Sequence, residues 1–298
     1  MKIAITGGSG FVGQELVKHL QQQGHEIVIL TRKNNHFTNG IQYIQWLSKN
    51  SSPEDYLEGI EAIVNLAGTS LNKGRWTEKH KEDIYESRLS ATNEVIRLLK
   101  ILKTPPRVLV NASAIGVYPA STTTTYTETS QEIANDFLAK TVRDWEQSAK
   151  VAEELGVRVV LARFGVILGK NAGALPMMVM PYKLYIGGTV GTGSQWVSWV
   201  HVEDVVNAIT FAISNENLQG IINVTSPNPV RMKNFGETIA AVMHRPHWFP
   251  VPSLLMKMAL GKKSQLVLEG QQALPKVLLN SDFQFQYPTL YSALENLL

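Results

Sequence analysis

Short apolar runs alternate with amphipathic runs along the first two thirds of the chain. Residues 2–6 predict a buried strand, and residues 14–20 repeat apolar positions at helical spacing. The same pattern predicts further strands at 26–30, 62–66, 107–111, 157–163 and 221–225, and helices near 78–103, 135–154 and 201–213. Strands that alternate with helices indicate a parallel sheet covered on both faces. We therefore predict an α/β fold, a doubly wound parallel sheet of about seven strands.

The last third of the chain is less regular. Prolines from Pro227 onward separate short amphipathic pieces, which is typical of a small helical cap rather than another wound layer. We predict a first domain at 1–168, to which 194–226 return. The smaller C-terminal substrate domain then comprises 169–193 and 227–298.

Glycines come directly after the first predicted strand, in both the T-G-x-x-G-x-x-G and the G-x-G-x-x-G spacing. A tight glycine turn that opens a helix brings the backbone and the helix N-terminus close to a dinucleotide pyrophosphate. This context predicts a Rossmann fold. The expected cofactor-binding residues here are Thr6, Gly7, Ser9, Gly10, Phe11, Val12 and Gly13.

The end of the second strand distinguishes between the two nicotinamide cofactors, because it faces the adenosine ribose. It carries Thr31 and Arg32 where an acidic residue would bind the 2′-hydroxyl. An arginine binds a 2′-phosphate as a two-pronged donor, so the expected cofactor is NADP(H). The small residues after the next cofactor-side strand, Leu66, Ala67 and Gly68, are expected to approach the same ligand.

Composition narrows the class of partner. The 298 residues carry 28 basic and 25 acidic side chains, a net charge of +3 without long blocks of one sign, which argues against nucleic acid. Cysteine is absent, which excludes disulfides and thiolate metal sites, and no metal site is predicted. A first strand at Lys2 leaves no room for a signal peptide, and no apolar run approaches 18 residues. We expect a cytoplasmic protein without membrane contact, whose partners are an unidentified small-molecule substrate and, if the chain associates, a second copy in a homodimer.

Several motifs together resemble the NAD-dependent epimerase/dehydratase branch of the extended short-chain dehydrogenase/reductase superfamily, and more narrowly its epimerase family proteins, some of them called SulA-like. Beyond Thr6–Gly13 and 65–68, they are Gly74-Arg75-Trp76-Thr77, Ser87-Arg88, Asn111-Ala112-Ser113-Ala114, Asp144-Trp145-Glu146, 195–201 and 283–288. The resemblance implies a Rossmann domain, a smaller C-terminal domain and a substrate cleft between them.

The superfamily's chemistry depends on a Tyr-x-x-x-Lys pair, and none of the nine tyrosines has a lysine four places later. Ser113 is the remaining catalytic candidate, because the resemblance implies a hydroxyl there that binds the substrate carbonyl; the register leaves Ala114 as the alternative. Phe164 is expected either to wall the pocket beside the nicotinamide or to pack in the core. Lys140 is either a ribose ligand or a solvated surface charge, and His201 is interpreted as structural.

Three functions remain open. The first is an NADP(H)-dependent oxidoreductase or epimerase-like enzyme with a non-standard acid/base group, which Ser113 favours. The second is a non-catalytic NADP(H)-binding sensor or regulatory module, which the missing tyrosine–lysine pair favours. The third, a sugar-nucleotide epimerase proper, lacks an evident basic diphosphate clamp after residue 185.

Overall fold

The computed structural model describes residues 1–72 and 74–298. Within them the strands are β1 (Lys2–Thr6), β2 (Glu26–Thr31), β3 (His36–Thr38), β4 (Ile41–Gln45), β5 (Ala62–Asn65), β6 (Val108–Ala114), β7 (Thr125–Tyr126), β8 (Arg158–Phe164), β9 (Val166–Leu168), β10 (Trp196–Val197), β11 (Trp199–His201), β12 (Gly220–Val224), β13 (Val230–Arg231) and β14 (Gln272–Ala273).

The helices of the same residues are α1 (Phe11–Gln22), α2 (Glu54–Leu57), α3 (Glu78–Ile101), α4 (Phe137–Lys150), α5 (Leu175–Lys183), α6 (Val202–Ser214), α7 (Met232–Met243), α8 (Ser253–Leu260), α9 (Gln265–Leu268), α10 (Lys276–Asn280) and α11 (Leu290–Leu297). None of these helices has both the length and the hydropathy needed to cross a membrane.

The central sheet has eight strands in the order β12-β8-β6-β5-β1-β2-β4-β3. All neighbours pair in parallel except β3 and β4, which form an antiparallel edge. The predicted doubly wound parallel sheet is therefore confirmed. The sequence pattern missed β3 and β4, since β3 is exposed along its whole length and β4 does not alternate.

Helices cover both faces of the sheet because the inner strands, such as β1 and β5, are largely apolar on both sides. On one face, Leu16 and Leu20 of α1 pack with Val205 and Ile209 of α6. On the other, Val95 and Leu99 of α3 join Ala149 of α4. Because all but one of the strands run the same way, the carboxyl ends of β1, β2, β5 and β6 meet at one edge of the sheet.

A separate apolar cluster lies in the C-terminal part of the chain, built mainly from α5, α7 and α11. Trp199 packs in this cluster, whereas Leu278 and Phe283 pack with the sheet face that carries α1. The packing thus crosses the predicted limits at 194–226 and 227–298, and the domain boundaries stay predictions.

His201 ties the start of α6 to the C-terminal helix. Its ring is fully buried, Nδ1 accepts a hydrogen bond from the Glu203 amide at 3.1 Å, and Nε2 lies 3.2 Å from Oδ1 of Asn296. The ring also stacks on Tyr287, with centroids 3.9 Å apart. Burial lowers the pKa of His201 to about 4, so the imidazole is neutral. This geometry fits the structural interpretation of His201.

The buried imidazole predicts a loss of stability in acid. The ordinary histidine pKa near 6.5 applies to the unfolded chain, which therefore binds the extra proton between about pH 6.5 and pH 4. Stability is fully present above pH 6.5 and falls by about 2–3 kcal/mol as the pH approaches 4. We expect His201→Asn, which keeps a helix-capping side chain, to lose less free energy of unfolding between pH 7.5 and pH 4.5 than the parent.

Urea unfolding at the two pH values measures this difference. His36→Asn serves as the control, since His36 is exposed and its replacement leaves the buried ring in place. A pH dependence in His201→Asn as steep as that of the parent would contradict the assignment.

Candidate functional site

The glycine turn between β1 and α1 has no space for side chains. Gly7 adopts a φ of +67°, and a Cβ there would lie 2.7 Å from the Leu66 carbonyl. A Cβ on Gly13 would lie 2.3 Å from the carbonyl oxygen of Gly7, so the first turn of α1 packs directly on the loop. Gly10 precedes the helix, and no side chain caps it. The first amides of α1 thus remain available to an anion, which fits a dinucleotide pyrophosphate.

The other predicted residues of this turn have different surroundings. Ser9 is exposed, and Val12 packs against the sheet. Phe11 turns toward the loop after β9, where a Cβ on Gly169 would lie 2.3 Å from its ring and one on Gly173 would lie 2.9 Å away. Phe11 therefore packs α1 against that loop.

Thr6 is fully buried and holds the neighbouring loop in place. Its hydroxyl donates to Oδ1 of Asn65 at 2.6 Å and accepts hydrogen bonds from the amides of Leu66 and Ala67, each at 3.1 Å. Leu66 and Ala67 are half-buried and Gly68 is exposed. The Thr6 side chain thus fixes the backbone of the predicted cofactor loop from beneath.

Sequence reasoning missed the rest of this buried network. The Asn65 amide donates to Oγ1 of Thr92 at 3.0 Å and to Oδ1 of Asn111 at 2.6 Å, and the Trp145 indole donates to the same Thr92 hydroxyl at 2.9 Å. These bonds join the end of β5 and the middle of β6 to α3 and α4. Polar residues at the ends of buried strands were the signal that could have found it.

Arg32 follows β2 at the same sheet edge as the glycine turn. Thr6 and Leu30 are register partners, so the ends of β1 and β2 lie side by side. Arg32 is exposed, and among the described residues it takes part in no salt bridge or side-chain hydrogen bond. Thr31 is half-buried, and its hydroxyl accepts from the Lys33 amide at 3.2 Å. The arginine is therefore free to bind an anion beyond the strand.

Ser113 lies near the end of β6 in a buried charged network. Its hydroxyl donates to Oε1 of Glu146 at 2.5 Å, and Arg163 binds both oxygens of that carboxylate, at 2.7 and 2.8 Å. The Tyr118 hydroxyl lies 2.9 Å from Nη1 of Arg163 and 3.0 Å from Oδ1 of Asn223. Residues from β6, α4, β8 and β12 thus converge beneath the sheet edge.

This network changes the expected role of the serine. A hydroxyl can donate one hydrogen bond, and Ser113 donates its own to Glu146. Any further hydrogen bond at its oxygen must therefore be an accepted one. The oxygen is thus available to accept a hydrogen bond, whereas the resemblance implied a hydroxyl that binds a substrate carbonyl as a donor. The side chain of Ala114 is only a methyl group, and it points to the opposite face of the strand from Ser113.

The sequence contained a signal for this network. Arg163 is a lone cation at the end of an apolar strand, and such a residue requires a buried partner. Burial by itself would lower the pKa of Arg163. The hydrogen bond and charge of Glu146 contribute most to the opposite effect, and the pKa of Arg163 is raised above its usual value.

The tyrosines near the site belong to the core. Tyr118 and Tyr126 are 1% and 3% exposed and stack with ring centroids 5.1 Å apart. Burial raises the pKa of Tyr118, although Arg163 opposes this. On α4, Leu138 rather than a phenol packs toward Gly116, just beyond Ser113.

Lys140 and Phe164 complete the predicted set. Lys140 is exposed and pairs with Asp144 at 2.5 Å, on the side of α4 that meets Tyr85. The surface-charge interpretation of Lys140 fits this geometry. Phe164 is half-buried and packs against the sheet core, in register with Ala114.

Comparison with known proteins gives a consistent family. Residues 3–225 match the profile described as NAD dependent epimerase/dehydratase family, and residues 251–297 match a domain of unknown function, DUF1731. The chain is 49% identical to the epimerase family protein YfhF of Bacillus subtilis, over 100% of this chain and 98% of that protein.

Solved structures agree with this relationship. The human epimerase family protein SDR39U1, crystallised with NADPH, superposes with a TM-score of 0.90 at 29% identity, covering 100% of this chain and 99% of that one. A nucleoside-diphosphate sugar epimerase from Corynebacterium glutamicum gives 0.80 at 30% identity, covering 100% of this chain and 58% of that one. The chain therefore belongs to the NAD dependent epimerase/dehydratase family.

Proposed function

We propose that this chain is an NADP(H)-dependent oxidoreductase or epimerase-like enzyme that acts on a hydroxyl-bearing small molecule held beside Ser113. The observation that carries the cofactor assignment is Arg32, an exposed cation at the same sheet edge as the glycine turn. No acidic residue occurs between Thr31 and His36 to repel a 2′-phosphate. The human relative crystallised with NADPH supports the assignment.

Each part of the site then has a defined task. The amides at the start of α1 bind the pyrophosphate, the glycines let the ligand approach the backbone, and Arg32 binds the 2′-phosphate. When bound, the nicotinamide supplies or accepts a hydride. The backbone of Leu66 and Ala67, fixed by Thr6, lies along the cofactor on the β5 side.

Ser113 orients the substrate. Because Ser113 donates its hydrogen bond to Glu146, its oxygen accepts a hydrogen bond from a substrate hydroxyl and turns that group toward the nicotinamide. The bidentate hydrogen bond from Arg163 fixes the carboxylate of Glu146 in place. Glu146 and Arg163 are positioning residues, and the retained serine favours an enzyme over a sensor module.

The cofactor assignment predicts a measurable preference. The parent protein is expected to bind NADPH about ten- to a hundredfold more tightly than NADH, since a charge-assisted hydrogen bond contributes about 1.5–3 kcal/mol. Arg32→Ala should remove most of this difference by weakening NADPH alone. Dissociation constants from isothermal titration of both cofactors measure it.

Arg107→Ala is the matched control, since Arg107 is an exposed arginine at the opposite, amino-terminal end of the sheet before β6. It should leave both constants unchanged. Equal affinities for NADPH and NADH in the parent would refute the assignment of Arg32.

A further inference from the structure

Arg88 of α3 lies against the loop that follows β5. A Cβ on Gly68 would lie 3.2 Å from both Cγ and Cζ of Arg88, so the arginine crosses the loop where a side chain is absent. Its guanidinium also lies over the Trp145 ring, 5.2 Å from the centroid. The side chain is thus held between the loop and α4 by packing on both sides.

Most of the donors of this guanidinium are unused. Nη1 donates to the carbonyl oxygens of Thr69 at 3.1 Å and Ile84 at 2.9 Å. An arginine has five N–H groups, and the three on Nε and Nη2 have no hydrogen-bond partner among residues 1–72 and 74–298. The arrangement leaves a two-nitrogen edge of the guanidinium for a ligand.

The charge of Arg88 is also uncompensated. None of the ion pairs formed by the described residues includes it, whereas Arg97 and Arg163 are each paired with glutamate. Burial lowers the pKa of Arg88 to about 10, so the group remains protonated at pH 7. A cation removed from water without a counter-ion is costly, and this cost is offset when an anion binds.

The position of Arg88 connects the two halves of the site. Gly68 lies two residues after Leu66, whose carbonyl lies against Gly7 of the glycine turn. Trp145 precedes Glu146, which holds Ser113. An anion in contact with Arg88 therefore lies beside the loop after β5, which packs against the glycine turn on one side and is bridged by Arg88 to α4 on the other.

We propose that Arg88 is an oxyanion-binding residue of this cleft, which grips a phosphate or carboxylate with Nε and Nη2. The inference rests on the cofactor site proposed above. Two ligands could supply the oxyanion, namely the pyrophosphate of the cofactor and an anionic group of the substrate.

The test compares Arg88→Gln and Arg88→Lys with the parent. Arg97→Gln is the matched control, because it removes the same charge from α3 at an exposed residue paired with Glu94 and Glu54. Each protein is titrated with NADPH and with adenosine 2′-monophosphate, which lacks a pyrophosphate. The NADPH-saturated proteins are then titrated with inorganic phosphate.

We expect Arg88→Gln to lower the affinity for one of the two oxyanion ligands by about ten- to a hundredfold. Arg88→Lys should lower the same affinity less. If NADPH binds more weakly while the affinity for adenosine 2′-monophosphate is unchanged, the oxyanion is the pyrophosphate of the cofactor. Unchanged NADPH with loss of phosphate binding by the saturated protein identifies the substrate anion. If Arg88→Gln does not fold, Arg88→Lys retains the charge but not the two-nitrogen edge and decides alone.

NADPH constants within twofold of the parent, together with no loss of phosphate binding, would overturn the proposal and leave Arg88 as a loop support. A parent protein that does not bind NADPH would instead refute the cofactor assignment. In that case phosphate titration of the unliganded parent and Arg88→Gln still tests Arg88, and equal binding would overturn its role.

Discussion

Replacing Gly13 with alanine is expected to weaken NADPH binding by more than about a hundredfold, which is about 2.7 kcal/mol. The added Cβ would lie 2.3 Å from the Gly7 carbonyl oxygen and 2.7 Å from Cα of Gly8, and both are backbone atoms that cannot rotate away. The first turn of α1 must therefore move off the loop. This movement misdirects the amides that are proposed to bind the pyrophosphate.

Titration with NADPH and thermal unfolding measure the two consequences. Overpacking against backbone costs about 1–3 kcal/mol of stability, so the variant should fold but melt earlier. Gly116→Ala is the matched control, since a Cβ there meets Leu138 at an ordinary 3.8 Å. Wild-type NADPH affinity in Gly13→Ala would show that the turn does not form the cofactor site.

The glycine turn was predictable because its causes are local. Gly7 requires a positive φ, and Gly13 permits close contact between a helix and the preceding loop. Both requirements lie within the short segment 7–13. The parallel sheet was predictable for a similar reason. A strand buried on both faces is apolar throughout, as in β1 and β5, and such runs are visible without knowing their partners.

The charged network under Ser113 was not predictable in the same way. Glu146 and Ser113 are 33 residues apart, and Tyr118 and Asn223 are 105 apart, so only the folded chain brings them together. The sequence showed which groups were available but not their hydrogen-bond directions. The direction of the Ser113 hydrogen bond decides whether the residue donates to a ligand or accepts from it.

Arg88 illustrates a second limit. Its place in a Ser-Arg motif supported the family resemblance, but no sequence pattern distinguished it from Arg97, the other arginine of α3. Arg97, nine residues later, is exposed and paired, whereas Arg88 is half-buried without a carboxylate. Helical periodicity places residues on faces, but it does not reveal which face meets a cleft.

The Ser113 hydroxyl is expected to dominate catalysis, so Ser113→Ala should lower kcat/KM by about a hundredfold, or roughly 2.7 kcal/mol of transition-state stabilisation. Alanine removes the oxygen that orients the substrate hydroxyl, and it leaves the carboxylate of Glu146 bound by Arg163. NADPH affinity should not change. The assay is NADP⁺ reduction with a panel of alcohols, because the hydroxyl of an alcohol is the group that is proposed to donate to Ser113.

Tyr118→Phe and Tyr126→Phe provide the comparison, because a tyrosine phenol is the usual proton donor of the superfamily. Both rings are buried and stacked, and the Tyr118 hydroxyl is already bound to Arg163 and Asn223. We expect each variant to retain kcat/KM within about tenfold. Tyr118→Phe should lose about 1–3 kcal/mol of stability, since it leaves buried polar partners unsatisfied. A hundredfold loss of rate in either phenylalanine variant, with NADPH binding intact, would contradict this assignment. The proton transfer would then be assigned to that tyrosine, and Ser113 would only position Glu146.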